Sequence, residues 1–354
     1  MNIINIILDF LNLENFISNI PNAEVQELLT IVFVFLRSDL FFKILLFPGI
    51  FTILITVAEL MWLELKLIAK VQLRVGPQYA GRIGGILQPI ADFIKLLFKE
   101  TIVPEKASKV LFLLVPIMLV TLAATTLTVI PLSETDVISN LDVGLLFTFA
   151  ILSIFPVLAL LAGWASNSKF PFIGGIRALF QQVSYEVPLW FSALGVVILA
   201  ESLNFNSIIK AQSTFWFILL LPLGAFIFLV AVIAETERLP FDIPEAETEI
   251  ASGWMAEYSG LSFGLIMLSL YIKLYFGAAM FTALFLGGWL GPSILPPAFW
   301  FLTKTIIVVL IIMMLRGVLP RFRLADLLYI GWRRLLILSM VNIFLAITVK
   351  LILF

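Results

Sequence analysis

Residues 234–260 read AETERLPFDIPEAETEIASGWMAEYSG, and they separate two long apolar runs, roughly 214–234 and 258–284. Each run has about the 20-residue length that a helix needs to cross the hydrocarbon core of a bilayer. Between them stand Glu235, Glu237, Asp242, Glu245, Glu247, Glu249 and Glu257, with Arg238 as the single cation. Pro240 and Pro244 break helicity between the two runs. An acidic stretch is ordinarily a solvated loop. This one begins while the first run is still membranous at Glu235 and ends inside the next at Glu257. Leu239, Phe241, Ile243, Ile250, Trp254 and Met255 are interspersed through it, so the loop is expected to pack inward. Crowded carboxylates raise one another's pKa, which suits them to storing and passing protons near neutral pH.

The rest of the chain has the same apolar character. Of 354 residues, 62% are hydrophobic and 13% charged, against about 25% charged in a soluble domain. That excludes a soluble enzyme. A net charge of -1 leaves no basic footprint for nucleic acid. With no Cys and no His, thiolate catalysis, imidazole zinc sites, Fe–S ligation and a haem axial histidine are excluded for this chain. Further apolar windows fall at roughly 40–65, 110–131, 143–164, 180–200, 299–318 and 334–353. The expected fold is therefore all-α: a polytopic membrane protein with eight transmembrane helices plus amphipathic surface helices. Residues 1–39 form an N-terminal extension with an interfacial amphipathic helix, and 40–354 form the membrane domain. Segment 84–100 places Ile86, Ile90, Ile94 and Leu97 at helical spacing and reads as a helix lying on the membrane surface. Sixteen of the 22 Lys and Arg residues fall in loops on one side, which the positive-inside rule makes cytoplasmic. Eight spans then put both termini outside. The expected location is the plasma membrane of a prokaryote, with a mitochondrial inner or thylakoid membrane as the alternative.

Three other groups of residues stand out. Glu59 and Glu64 precede Lys66, Lys70, Gln72, Arg74, Gly76 and Pro77 at the end of the first span. Ionisable groups at membrane depth point to function, although Lys66 could simply snorkel to the interface. Glu186 lies well inside the fourth span, two residues before Pro188, which frees a backbone carbonyl one turn earlier. Arg177 is a fixed cation at that span's entrance, or an ordinary topology signal. Arg316, Arg321 and Arg323 with Asp326 close the seventh span, where Arg suits carboxylate pairing and partner docking. Lys273 and Lys304 sit within spans without a partner visible in the sequence.

Taken in order and spacing, these blocks resemble the subunit 1, or H-subunit, family of complex I, the proton-pumping NADH:quinone oxidoreductase, or a close complex I-like relative. The resemblance covers about 40–334 and rests on Glu64 and Lys66, QLRVGP at 72–77, ADFIKLLFKE at 91–100, SNSKF at 166–170, SYEVP at 184–188, AETERLPFDIPEAETEI at 234–250, EYSG at 257–260 and LPRFR at 319–323. It implies a component without redox centres in a quinone-reducing, proton-translocating enzyme. By that resemblance Glu186, Glu235 and Glu257 match a membrane-embedded proton relay. Glu64, Lys66, Arg74, Arg177, Asp242, Glu245, Glu247, Glu249 and Arg316 match residues lining or bracing a quinone chamber. Quinone would be a substrate, with nothing bound covalently and no metal. Fe–S clusters and the donor cofactor would belong to partner subunits. Those partners would be hydrophilic-arm subunits that form the quinone head-group site and carry the terminal Fe–S cluster, together with small and antiporter-like membrane subunits and membrane lipid. One position departs from the pattern: Leu65 stands where the family commonly has Arg, so the quinone type is left open. An equivalent anchor of an energy-converting hydrogenase and an autonomous proton-coupled transporter share parts of the pattern.

Overall fold

The structure, a computed structural model, describes residues 49–81, 84–244, 246–292 and 294–353; the side chains of Glu247, Thr248 and Leu353 are not described. The expected N-terminal extension, 1–39, and Glu245 therefore lie outside the described residues. The chain divides into two compact units, residues 1–55 and 56–354. Of the first, the described residues 50–55 belong to the first helix.

The second unit is helical wherever the sequence is continuously apolar. The helices are α1 (Ile50–Val71), α2 (Gln88–Phe98), α3 (Lys109–Leu127), α4 (Gly144–Leu152), α5 (Phe155–Ala165), α6 (Lys169–Ala200), α7 (Phe205–Ala211), α8 (Phe217–Leu220), α9 (Pro222–Glu235), α10 (Glu247–Ile250), α11 (Gly260–Phe285), α12 (Pro297–Val318), α13 (Leu324–Tyr329) and α14 (Leu336–Leu353). A 3-10 turn, Gly253–Met255, precedes α11, and a π-turn, Ile330–Leu335, joins α13 to α14. Among the described residues six helical stretches are long and apolar enough to cross a membrane: 109–127, 144–165, 169–200, 260–285, 297–318 and 324–352. The other two expected spans fall on α1 and α9. Helix α1 carries Glu59, Glu64, Lys66 and Lys70 along one turn after another, and α9 is a shorter apolar helix of 14 residues. The protein is thus an all-α polytopic membrane protein, and the count of eight remains an expectation.

Boundaries depart from the sequence reading where proline or polar side chains intervene. The fourth span starts eleven residues earlier than the apolar window, at Lys169, and runs unbroken through Pro188 for 32 residues. The third is two helices, because Pro156 lacks the N–H that would bond the Leu152 carbonyl. The fifth breaks at Leu221, just ahead of Pro222. The sixth begins at Gly260, so Glu257 precedes the helix instead of lying within it. Helix α2 buries only Pro89 and leaves Ile90, Phe93, Ile94 and Leu97 nearly half exposed, as a surface helix does.

Helix α6 is the central element, packed against α5, α9 and α14, while α11 packs against α3, α12 and α2. Lipid chains are as apolar as Leu, so helices in a membrane associate through close approach of small residues. Ala162, Ala178, Ala193, Ala231, Ala234, Ala278 and Ala279 are all fully or almost fully buried. The contact of α6 with the loop after α9 is close as well. A Cβ on Gly174 would stand 2.5 Å from the Trp254 backbone nitrogen and 2.7 Å from the Gly253 Cα. Gly174→Ala should therefore lift the loop from α6 at a cost of about 1–3 kcal/mol, read as a lower thermal midpoint of the detergent-solubilised protein. Gly264→Ala meets only the Leu96 side chain, at 3.3 Å, and should leave the midpoint unchanged.

Candidate functional site

The loop after α9 is held by hydrogen bonds that begin with its own backbone. Helix α9 ends at Glu235, and Glu237 takes the left-handed conformation with φ 53°. Such a φ is uncommon for a residue other than glycine and persists only when surroundings enforce it. Here both carboxylate oxygens of Glu237 are occupied: one accepts from Gln182 Nε2 on α6, the other from Trp254 Nε1 at 3.1 Å. The chain reversal sends Glu237 inward and Arg238 toward α1. Gln181 Nε2 donates to the carbonyls of Ala234 (2.9 Å) and Phe241 (2.7 Å), fixing the turn at both ends. The Phe241 ring packs between Tyr185 and Phe322, and Phe241, Ile243, Ile250, Trp254 and Met255 are buried. The acidic loop packs inward, as its apolar residues imply.

Two groups of buried charges result. In the first, Glu64 on α1 is 2% exposed, and its Oε1 accepts from the guanidiniums of both Arg238 and Arg316. The Arg238 guanidinium also lies 4.6 Å from the centre of the Tyr271 ring. Arg321 pairs with Asp242 at 2.9 Å. Glu237, Arg238, Asp242, Tyr271 and Arg316, with Thr236, Leu239, Met267 and Leu270, line a cavity of about 160 Å³. In the second group, Glu235 and Lys273 form a pair at 2.9 Å with side chains 5% and 3% exposed. Lys273 also lies 4.8 Å from the centre of the Phe155 ring. Glu186 on α6 accepts from the Ser153 hydroxyl, and Glu235 lies within electrostatic reach of Glu186 and Glu237. A void of about 10 Å³ beside Glu235 and Lys273 is close to the room one water needs.

The structure brings together only part of the sequence-derived set. Asp242 and Arg316 line the cavity, Glu64 pairs with Arg238 and Arg316 of its wall, and half-buried Glu186 lies within electrostatic reach of Glu235. Arg177 pairs with Glu249 at 2.6 Å, away from either void. Arg74 is exposed and donates to its neighbour Gln72, while Lys66 packs beneath Gly76. Glu257 is half-buried and makes no ion pair with a described residue. Glu245 and the Glu247 side chain lie outside the described residues. Sequence spacing does not reveal Arg238, Tyr271, Gln182 and Trp254 as partners, and it leaves Lys273 without one. Two signals point the right way: Arg238 is the lone cation in an acidic run, and Lys273 is a charge in a membrane span that must find a counter-charge. Lys304 has a structural role, because its ammonium donates to the carbonyls of Leu286, Gly288 and Leu290 past the C-terminal end of α11. Among the described residues no group of three or more acidic side chains could hold a metal ion.

Residues 43–347 match the family model described as NADH dehydrogenase. Similar proteins include the H subunit of NADH-quinone oxidoreductase from Dehalococcoides mccartyi strain CBDB1, 44% identical over 82% of this chain and 82% of the relative. The H subunit of the same enzyme from Pelagibacter ubique is 40% identical over 89% of this chain and 94% of its own. A form numbered 2 of the H subunit, from Syntrophobacter fumaroxidans, is 42% identical over 82% and 90%, respectively. At this identity over most of its length, the chain belongs to the NADH dehydrogenase family, alongside the bacterial H subunits.

Proposed function

We propose that this chain is the membrane subunit of a complex I-type NADH:quinone oxidoreductase, shaping part of the quinone chamber and coupling quinone reduction to proton translocation. The observation that carries the reading is the succession of charges from the 160 Å³ cavity through buried Glu237 to the buried Glu235–Lys273 pair and half-buried Glu186. A cavity of that size is smaller than the usual site of a ligand as large as a quinone. The chain therefore supplies one wall, and hydrophilic-arm subunits carrying the terminal Fe–S cluster supply the head-group end. Small and antiporter-like membrane subunits would receive the protons. Donor oxidation and electron transfer belong to those partners. The complex sits in the plasma membrane of a prokaryote, with the basic loops and the cavity on the cytoplasmic side.

Reducing a quinone to a quinol consumes two electrons and two protons, so the chamber wall gains and loses charge each turnover. In a poorly solvated cluster a unit charge within about 4–6 Å shifts a neighbour's proton affinity by about 1–3 pKa units. Asp242 stands at the cavity wall, clamped by Arg321, and holds negative charge there. Glu235, clamped by Lys273, is an enclosed acid behind it. Glu186, hydrogen-bonded to Ser153, continues the series on α6. The Arg238–Glu64–Arg316 cluster does not relay protons, because a carboxylate between two guanidiniums stays ionised. It braces α1, α12 and the loop around the cavity.

Electron transfer by the purified complex should be blocked by quinone-site inhibitors, whereas inhibitor-insensitive hydrogen evolution would overturn this reading. Glu235→Gln or Glu186→Gln should lower proton translocation about tenfold or more, since an amide cannot titrate. The measurement is proton uptake or release by proteoliposomes per quinone reduced, and unchanged coupling in both variants would remove the relay. Asp242→Asn should instead slow quinone reduction itself by about tenfold. Turnover and apparent quinone affinity equal to wild type would take Asp242 out of the chamber wall.

A further inference from the structure

Glu237, like Glu186 with Ser153, is held by neutral donors instead of a cation. Glu64, Asp242, Glu249 and Glu235 are each in contact with a cation: Arg238 and Arg316, Arg321, Arg177 and Lys273, respectively. Glu237 makes no ion pair with a described residue and is held by two neutral donors, Gln182 Nε2 and Trp254 Nε1. It is 2% exposed. Burial pushes its carboxyl above the usual carboxylate range, against the pull of Lys273 and the two N–H donors. An acid locked to a guanidinium must break an ion pair to accept a proton; Glu237 need only give up one neutral hydrogen bond.

Its position completes the argument. Glu237 and its neighbour Thr236 both line the cavity, and Thr236 also lines the void beside Glu235 and Lys273. The two spaces share Thr236 as a wall. Glu237 is within electrostatic reach of Lys273 on α11, Asp242 on its own loop and Glu235 on α9. From α6 it faces the neutral Gln182, with Glu186 beyond Glu235, and across the cavity stand Arg238, Tyr271 and Arg316. We propose that Glu237 is a further proton-carrying residue, the switchable carboxyl that passes protons between the cavity and the Glu235–Lys273 pair. This rests on the coupling role proposed above. In the step itself a proton adds to one carboxylate oxygen, which releases the N–H of Gln182 or Trp254. Its departure to water or to Glu235 restores both bonds, and no electrons move.

The test uses the intact complex in proteoliposomes, with protons translocated per quinone reduced measured across pH. Wild type, Glu237→Gln, Glu237→Asp and Glu235→Gln are compared. Glu237→Gln should lower the ratio by about half or more and flatten its pH dependence, while Glu237→Asp should keep the ratio with a displaced pH profile. If Glu237→Gln keeps the wild-type ratio and profile while Glu235→Gln loses coupling, the proposal falls and the coupling reading stands. Wild-type behaviour in both Gln variants would overturn both. Should the Gln variant fail to assemble, the Asp variant decides: a retained ratio with a displaced profile supports the proposal, and a lost ratio overturns it.

Discussion

The structure depends on one electrostatic constraint: a carboxylate removed from water must meet a cation or several donors at contact distance. Glu64 meets two guanidiniums, from the turn after α9 and from the last turn of α12. Because those residues lie 174 and 252 positions away in sequence, a single buried oxygen ties the first span to the fifth and seventh. Removing one partner of such a cluster typically costs about 3–5 kcal/mol, since it strands a buried charge. Lys273 does for Glu235 what the two arginines do for Glu64.

Charge pairing of this kind needs backbones close enough for short side chains to reach, and glycine provides that approach. Gly174 brings α6 against the 3-10 turn, which places Trp254 over Glu237. Gly253, with φ 61°, lies so close to the Pro244 carbonyl that a Cβ would be 1.6 Å from its oxygen. The fold therefore combines a packed frame of α6, α9 and α11 with a loop in which Glu237, Asp242 and Glu249 are each oriented by their own donors.

Much of this is legible in the sequence, for physical reasons that also mark where legibility stops. Continuous apolar runs specify helices because a bilayer leaves the backbone few alternatives. The spans at 109–127, 260–285 and 297–318 accordingly appear within a few residues of their windows. The inward packing of the acidic loop follows from its interspersed apolar residues. Partner choice does not follow. Nothing in the spacing of Glu64, Arg238 and Arg316 says that they meet, and nothing local to Lys273 points to Glu235. Residue type alone likewise does not say that Arg177 and Glu249 pair with each other.

The interruptions of the spans belong to the same design as the charges. Pro156 removes the donor for the Leu152 carbonyl, and Leu152 is one of the residues lining the small void beside Glu235 and Lys273. One residue later Ser153 turns its hydroxyl to Glu186. Pro188 releases the Ser184 carbonyl in the same way, and there the π-turn brings in Gly331, on which a Cβ would sit 3.1 Å from that oxygen. Unpaired backbone is tolerated at membrane depth only where protein or a wet cavity receives it. Pro156 opens α5 and Pro188 lies inside α6. The first stands beside the Ser153–Glu186 bond and the second at the close contact with Gly331, so helix irregularity and carboxylate placement are parts of one arrangement: polar backbone and a void of water size gathered near a few charges.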